Sequence, residues 1–343
     1  SVASRGLGDV YKRHGVTLTR PLIMRLSFYC VLEVGIEDPD EPKDPETPHF
    51  IPAYSQKVKA SKEFQTFQFD HSFVLNSLKS SMEGYVFHNQ PLDTDDLLEQ
   101  TVKLFNSCKT SLELFDMLHN MRAYDDSTYA HSLNVALICR RIGKWLKVDA
   151  ATLDTLTLCG LLHDIGKLKI PDEILNKPGK YTDEEFDLVK RHTKFGYELL
   201  KTLNIDPHIK KAALLHHERC DGSGYPLKAT QKDLDDFSMV VAIADVYDAM
   251  TAARSYRAPL CPFQVIERFE QEGLQKYKPK FILTFLQHIA STYQNNRVLL
   301  SNGQSANIVM LNQQHLARPI VQLNDNSCID LSTRLDLHIQ SIL

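Results

Sequence analysis

The residues with the clearest potential for chemistry are the adjacent pair His163-Asp164, which Gly166 and Lys167 follow closely. An apolar run with helical spacing precedes the pair, so we expect both residues at the inner end of a buried helix. An ionised carboxylate in that position is costly unless it is paired or bound to a metal ion. A neutral imidazole beside a carboxylate suits a divalent cation. For these residues alone, a satisfied polar cap at a helix C-terminus is an equally good interpretation.

Four further histidines and one aspartate stand in comparably apolar parts of the chain. They are His131, His192, His216, His217 and Asp245. A single inward histidine is more often a hydrogen-bonded core residue than a ligand, which applies to His131 and His192. The adjacent pair His216-His217 is harder to explain as core filler, and Asp245 lies in a helix so apolar that its carboxylate needs a partner.

Together these positions supply five or more imidazoles and two carboxylates on successive predicted helices. Helical bundles build metal sites from such inward side chains on facing helices. Two divalent ions a few ångström apart clamp a phosphate and activate water. A purely structural helical protein would leave the buried histidines and aspartates unexplained. The pattern therefore indicates a site for at least two metal ions and favours phosphate chemistry.

The composition is that of a globular protein with room for two or three domains. Its 343 residues are 43% hydrophobic and 24% charged. The net charge of −4 predicts neither a DNA- or RNA-binding protein nor a membrane-surface protein. The seven cysteines include no CxxC pair, which fits a reducing cytosol. No apolar run is long enough for a membrane span, and the N-terminus lacks a signal-peptide pattern, so we expect a cytoplasmic protein.

Three ordered motifs resemble the HD-GYP family, a branch of the HD metal-dependent phosphohydrolases. Residues 163–167 match its HDIGK signature, and residues 216–226 match its HHERxDGxGYP signature. Residues 244–251 and 254–257 match the run ADxxDAxTxxRxYR. The resemblance covers residues 121–290. It implies a helical bundle of the HD type and hydrolysis of the bacterial second messenger cyclic di-GMP to pGpG and/or GMP.

The resemblance also implies roles for individual residues. The metal ligands would be His131, His163, Asp164, His192, His216, His217 and Asp245, with Asp164 bridging two ions. Asp164 and Lys167 would be the catalytic residues. The substrate contacts would be Lys167, Gly224, Tyr225, Pro226, Arg254 and Arg257.

The expected cofactor is a pair of divalent transition-metal ions. Mixed imidazole and carboxylate ligands suit several such metals. The resemblance favours iron or manganese, with zinc, nickel and cobalt as alternatives. Family members with three metals carry a Glu where this chain has Ser127. A hydroxyl is a poor bridge between cations, so we expect two ions unless Asp126 supplies the missing carboxylate.

The expected fold is mainly α, with an HD-type helical bundle core, a small mixed α/β N-terminal segment and a small β C-terminal appendage. We divide the chain into a regulatory-like segment with an acidic proline-rich linker, a helical connecting region, the catalytic domain and the β appendage. These cover residues 1–54, 55–120, 121–295 and 296–343. In the appendage, Asn302-Gly303 predicts a β-hairpin and residues 318–323 a further strand.

Two rival functions remain. A non-catalytic cyclic di-GMP-binding signalling protein would be favoured by missing metal ligands, yet all of them match apart from the third-metal Glu, which Ser127 replaces. Another HD-type nucleotide phosphohydrolase is allowed by the His-Asp pair, whereas the GYP loop with Arg254 and Arg257 argues against a nucleotidase. A homodimer through the helical region is a further expectation.

Overall fold

The computed structural model describes residues 54–121, 127–177, 179–251 and 260–343, which belong to one compact unit. The predictions for the N-terminal segment and its acidic linker lie outside the described residues. So do Asp126, Arg254 and Arg257.

The described chain is mostly helical, as the sequence predicts. The described helices of the predicted connecting region are α1 (Tyr54–Ala60), α2 (Lys62–His88), α3 (Thr94–Ser107) and α4 (Ser111–Met121). They are followed by α5 (Thr128–Trp145), α6 (Ala150–Leu162), a 3-10 helix (Ile165–Lys169), α7 (Asp172–Leu175), α8 (Asp183–Lys190), α9 (His192–Leu200), α10 (Pro207–Leu215), α11 (Asp236–Thr251), α12 (Pro262–Lys276) and α13 (Pro279–Thr292). None of these helices is both long and apolar enough to cross a membrane.

The core of the site is formed where α5, α6 and α11 pack together. Gly160 of α6 lies so close to α5 that a Cβ there would be 2.6 Å from the Cα of Ala136. This contact requires glycine and sets the separation of the two helices. His131, on the first turn of α5, thereby comes next to His163, which follows α6: their ring centroids are 5.4 Å apart.

The connecting helices pack on this core. In α2, the buried His71 Nε2 lies 3.2 Å from Asn134 Oδ1 of α5, and Tyr85 donates a hydrogen bond to the carbonyl of Leu199 on α9. The helix ends at His88, where Asn89 takes the left-handed conformation with a φ of 53°.

The C-terminal part of the chain forms a five-stranded antiparallel sheet with the strand order β4-β3-β2-β1-β5. Its strands are β1 (Arg297–Leu300), β2 (Ser305–Met310), β3 (Ile320–Leu323), β4 (Cys328–Asp330) and β5 (Ile339–Ile342). The predicted hairpin at Asn302-Gly303 is confirmed, with Gly303 at a φ of 84°, and so is the third strand. Strands β4 and β5 were not predicted, because three or four residues carry little periodicity.

Candidate metal centre

The His163-Asp164 pair lies where the sequence predicts it, at the inner end of a buried helix. His163 caps the C-terminus of α6, and both side chains are almost fully buried. The 3-10 helix that follows carries Lys167, whose Nζ lies 2.5 Å from Asp164 Oδ2. Gly166 makes this turn fit against α9, since a Cβ there would lie 1.9 Å from the carbonyl oxygen of His192.

Two groups of donor atoms meet at Asp164. His163, Asp164 and His131 form one, and Asp164, His192, His216 and His217 form the other, with the donor atoms of each group within 4.8 Å of one another. Asp164 Oδ2 is 3.2 Å from His163 Nε2 and 3.6 Å from His131 Nε2. Asp164 Oδ1 is 3.4 Å from His192 Nε2 and 3.6 Å from His216 Nε2. One carboxylate therefore turns one oxygen to each group.

Asp245 of α11 joins the same two groups from another side. Its Oδ1 lies 3.0 Å from His131 Nε2, and its Oδ2 lies 3.7 Å from His217 Nδ1. The structure thus brings together all seven residues that the sequence singles out as ligands. They come from α5, the turn after α6, the start of α9, the turn after α10, and α11.

The backbone fixes how three of the imidazoles point. The Nδ1 atoms of His163, His192 and His216 lie 2.8, 2.6 and 2.9 Å from the carbonyl oxygens of Gly160, Val189 and Ala212. A carbonyl oxygen can only accept, so each Nδ1 carries the proton and each Nε2 presents its lone pair to the centre. This arrangement of a second hydrogen bond behind the ring is typical of metal-bound histidines.

The electrostatics favour the protonation states of metal ligands. Burial lowers the pKa of His192 to about 3 and also lowers the pKa values of His216 and His217. Burial alone would raise the pKa of Asp164, but His163 and Lys167 hold it well below its usual range. Most imidazoles are therefore neutral while the carboxylate is ionised, as a metal ion requires.

His131 differs from the other histidines. Burial alone would lower its pKa, yet the hydrogen bonds to Asp245 and Asp248 raise it to about 9. A metal ion bound at Nε2 would have to displace a proton there.

The donor set fits a divalent cation. Among the described residues, His163 Nε2 and Asp164 Oδ1 are buried without a hydrogen-bond partner. Two unsatisfied lone pairs inside a protein are costly, and a bound cation would satisfy both. Nitrogen and oxygen donors in this mixture suit a transition metal.

The loop after His217 covers one side of the centre. The ring of Tyr225 lies with its centroid 4.7 Å from that of His217 and 6.5 Å from that of His192. A Cβ at Gly224 would lie 2.4 Å from the Cα of Glu218, so only glycine allows this close approach. Pro226 follows Tyr225 through a cis peptide bond.

A cleft of about 1710 Å³ opens above the donor groups. His131, His192, His217, Lys167 and Tyr225 are among the residues that line it. The centre is therefore accessible to a ligand of considerable size.

Two residues in the site were not assigned a role from the sequence. Asp248 is buried and hydrogen-bonded to His131, and it follows Asp245 by three residues on the same helix, a spacing that could have revealed it. Glu218 is fully buried and accepts hydrogen bonds from the amides of Leu227 and Ala229. Its sequence signal is the Glu of the HHERxDGxGYP signature, directly after His217.

Ser127 has a structural role at the start of α5. Its hydroxyl accepts a hydrogen bond from the amide of Ala130 at 3.2 Å, as an N-cap.

Comparison with known proteins supports the motif assignment. The model of the HD domain family matches residues 96–281, more than half of the chain. A 3'3'-cGAMP-specific phosphodiesterase from Vibrio cholerae is 34% identical over 183 residues, which are 52% of this chain and 35% of that protein. A cyclic di-GMP phosphodiesterase from Pseudomonas aeruginosa is 33% identical over 207 residues, 60% of this chain and 50% of that protein.

A cyclic di-GMP phosphodiesterase from Thermotoga maritima is 35% identical over 178 residues, 51% of this chain and 48% of that protein. The chain thus spans between about a third and half of the length of these relatives.

Proposed function

The chain belongs to the HD domain family, and on that premise we propose that it is a metal-dependent phosphodiesterase that hydrolyses cyclic di-GMP to pGpG and/or GMP. The proposal rests on the geometry of the Asp164 carboxylate, which turns one oxygen to each of two groups of histidine donors. This arrangement suits two ions that share a bridging carboxylate. The names of the relatives from Pseudomonas and Thermotoga support the choice of substrate.

The seven proposed ligands would hold two divalent transition-metal ions, for which we propose iron or manganese, with zinc, nickel and cobalt as alternatives. Bound there, the ions would supply an activated water and neutralise charge on the phosphate. We propose two ions and not three, because the Ser127 hydroxyl is used as an N-cap.

The chain itself would bind and orient the substrate. Lys167 lines the cleft beside Asp164, where its ammonium can hold a phosphate oxygen as a point charge. Tyr225, in the loop 224–226, forms an aromatic wall next to His217 that excludes water from one side of the reacting phosphate. We also assign Arg254 and Arg257 to the substrate phosphates on the strength of the motif that they share with the family.

We assign this activity to residues 121–295, with 55–120 as a connecting region and 296–343 as an appendage. We further propose a homodimer through the connecting region. Light scattering on the purified protein tests this proposal, and a monomer mass would contradict it.

A second candidate substrate is 3'3'-cGAMP, since a relative from Vibrio is named for it. A protein that binds cyclic di-GMP without hydrolysing it is less well supported, because the described donor set lacks none of the seven proposed ligands.

The decisive experiment uses protein purified anaerobically and reloaded with iron or manganese. Cyclic di-GMP and 3'3'-cGAMP are incubated with it separately, and the products are separated by chromatography. We expect pGpG or GMP from cyclic di-GMP and none with the metal-free protein. A fully loaded protein that binds cyclic di-GMP but leaves it intact would establish the binding protein instead.

A further inference from the structure

Two half-exposed phenylalanines line the cleft and have no part in the metal centre. Phe87, at the end of α2, is 55% exposed, and Phe186 of α8 is 45% exposed. Phe87 lies outside residues 96–281, the segment matched by the family. Large apolar rings on the wall of a polar cleft offer a flat surface that forms no hydrogen bonds with water.

The ring of Tyr225 lies between Phe186 and the donor groups. The centroid of the Phe186 ring lies 6.4 Å from that of Tyr225, with the two rings nearly perpendicular at 78°. Tyr225 in turn lies over His217, at 4.7 Å between centroids. A ligand held by a phosphate at the centre would therefore meet Phe186 within the length of a nucleotide.

Phe87 approaches the centre from a different element. The Nζ of Lys169 lies 5.6 Å from the centroid of its ring and donates a hydrogen bond to the carbonyl of Val86. Lys169 belongs to the same 3-10 helix as Lys167, whose ammonium contacts Asp164. The two phenylalanines thus contact different elements next to the donor groups: Phe87 contacts the 3-10 helix through Lys169, and Phe186 contacts the loop through Tyr225.

We propose that Phe87 and Phe186 are stacking platforms for the two purine bases of a cyclic dinucleotide whose phosphate lies at the metal centre. The inference rests on the proposed function and adds the base-binding part of the site. Stacking on an aromatic side chain accepts any purine, since every base has a π-face. The cleft volume of about 1710 Å³ leaves room for a ligand with two bases.

The test compares Phe87→Ala and Phe186→Ala with a matched control, Phe73→Ala. Phe73 lies on the same helix as Phe87 and is 63% exposed, but it does not line the cleft. Calorimetry on the metal-loaded proteins measures the binding of GMP and of ribose 5-phosphate, which lacks the base. The same proteins are assayed for KM and kcat with cyclic di-GMP.

We expect the wild-type protein to bind GMP more tightly than ribose 5-phosphate. Each cleft variant should raise the KM for cyclic di-GMP by roughly 5- to 150-fold, the range for loss of one stacked base. Their kcat and their affinity for ribose 5-phosphate should stay unchanged, and Phe73→Ala should behave as the wild type does.

The two ideas fail in different ways. Cleft variants that keep the KM and the GMP affinity of the Phe73→Ala control would overturn the stacking platforms while leaving the hydrolase intact. A wild-type protein that hydrolyses no cyclic dinucleotide would refute the proposed function. If the same wild-type protein also binds GMP and ribose 5-phosphate with equal affinity, the stacking platforms are overturned as well. If it binds GMP more tightly and both cleft variants reduce this preference, the platforms are upheld.

Discussion

His131 Nδ1 lies 2.8 Å from Asp248 Oδ2, behind the ring nitrogen that faces the metal centre. Asp248 is almost fully buried, one turn along α11 from Asp245. A carboxylate in this position fixes the orientation of the ring and makes the opposite nitrogen a stronger ligand for a metal ion. Asp248 is thus a positioning residue for His131 and does not need to contact an ion itself.

We expect Asp248→Asn to weaken metal binding by about 10- to 100-fold, the usual effect of changing such a partner. An amide can still accept from Nδ1, so the fold should be retained. Competition with a metal chelator measures the affinity. Asp70→Asn on α2, a half-buried aspartate away from the cleft, is the control, and equal affinities for both variants would contradict the role of Asp248.

Asp164→Ala should remove a carboxylate that contributes one oxygen to each of the two donor groups. We expect the metal content to fall from near two ions per chain to below one, and hydrolysis to fall below detection. The loss of the cation should also lower the melting temperature of the metal-loaded protein, because metal binding is coupled to folding. Elemental analysis measures the content, and a variant that keeps both ions and its activity would refute the bridging role.

Gly166→Ala should destabilise the protein by about 3 kcal/mol or more through overpacking. Its Cβ would lie 1.9 Å from the His192 carbonyl oxygen and 2.4 Å from the Gly196 amide nitrogen, both of them backbone atoms. Urea denaturation measures the change. Gly273→Ala is the matched control, because its Cβ would meet nothing closer than 3.4 Å. This substitution should stabilise α12 by about 0.5–1 kcal/mol.

Glu218→Gln should loosen the loop that carries Tyr225. The two carboxylate oxygens lie 2.5 Å from the amide nitrogen of Leu227 and 3.0 Å from that of Ala229. A glutamine side chain accepts only one of these bonds, which costs about 1–3 kcal/mol for a buried group.

We expect lower stability and a lower kcat/KM for Glu218→Gln, with the metal content unchanged. The control is Glu272→Gln, which removes an exposed pair with Lys276 and should have almost no effect on stability. Wild-type stability in Glu218→Gln would show that the loop does not depend on this carboxylate.

Asp116 predicts a pH dependence outside the metal centre. Burial raises its pKa from 3.8 to about 6, although a hydrogen bond from Tyr54 partly opposes this. The folded state therefore binds the proton more tightly than the unfolded state does. Protonated Asp116 therefore adds at most about 3 kcal/mol to the free energy of unfolding. This contribution is fully present below about pH 4 and is lost as the pH rises through about 6.

Asp116→Asn should consequently be more stable than the wild type at pH 7.5 and about equal to it at pH 4. Asparagine keeps an acceptor for the Tyr54 hydroxyl, so the hydrogen bond survives. Urea denaturation of both proteins at the two pH values measures the difference, in which pH effects common to both proteins cancel. A difference independent of pH would mean that Asp116 keeps an ordinary pKa.

Much of the site was determined by the sequence alone. The histidines and aspartates stand at the ends or centres of apolar helices, where an unpaired polar group is costly, so their burial could be predicted from local pattern. His163 and His216 do cap α6 and α10, and Asp245 does lie within α11. The existence of the hairpin at Asn302-Gly303 was equally local, since Gly303 supplies the positive φ that the turn needs.

Other features were decided only by the tertiary structure. Strand β5 exists because it pairs with β1, some forty residues earlier, and a four-residue segment has no local signal for this. The roles of Glu218 and Asp248 follow from the groups that folding places against them: two loop amides for Glu218 and the ring of His131 for Asp248. The sharing of Asp164 between two donor groups depends on the approach of α5 and α9 to the turn after α6. Close packing sets those distances between segments far apart in the chain, and periodicity within a segment cannot encode them.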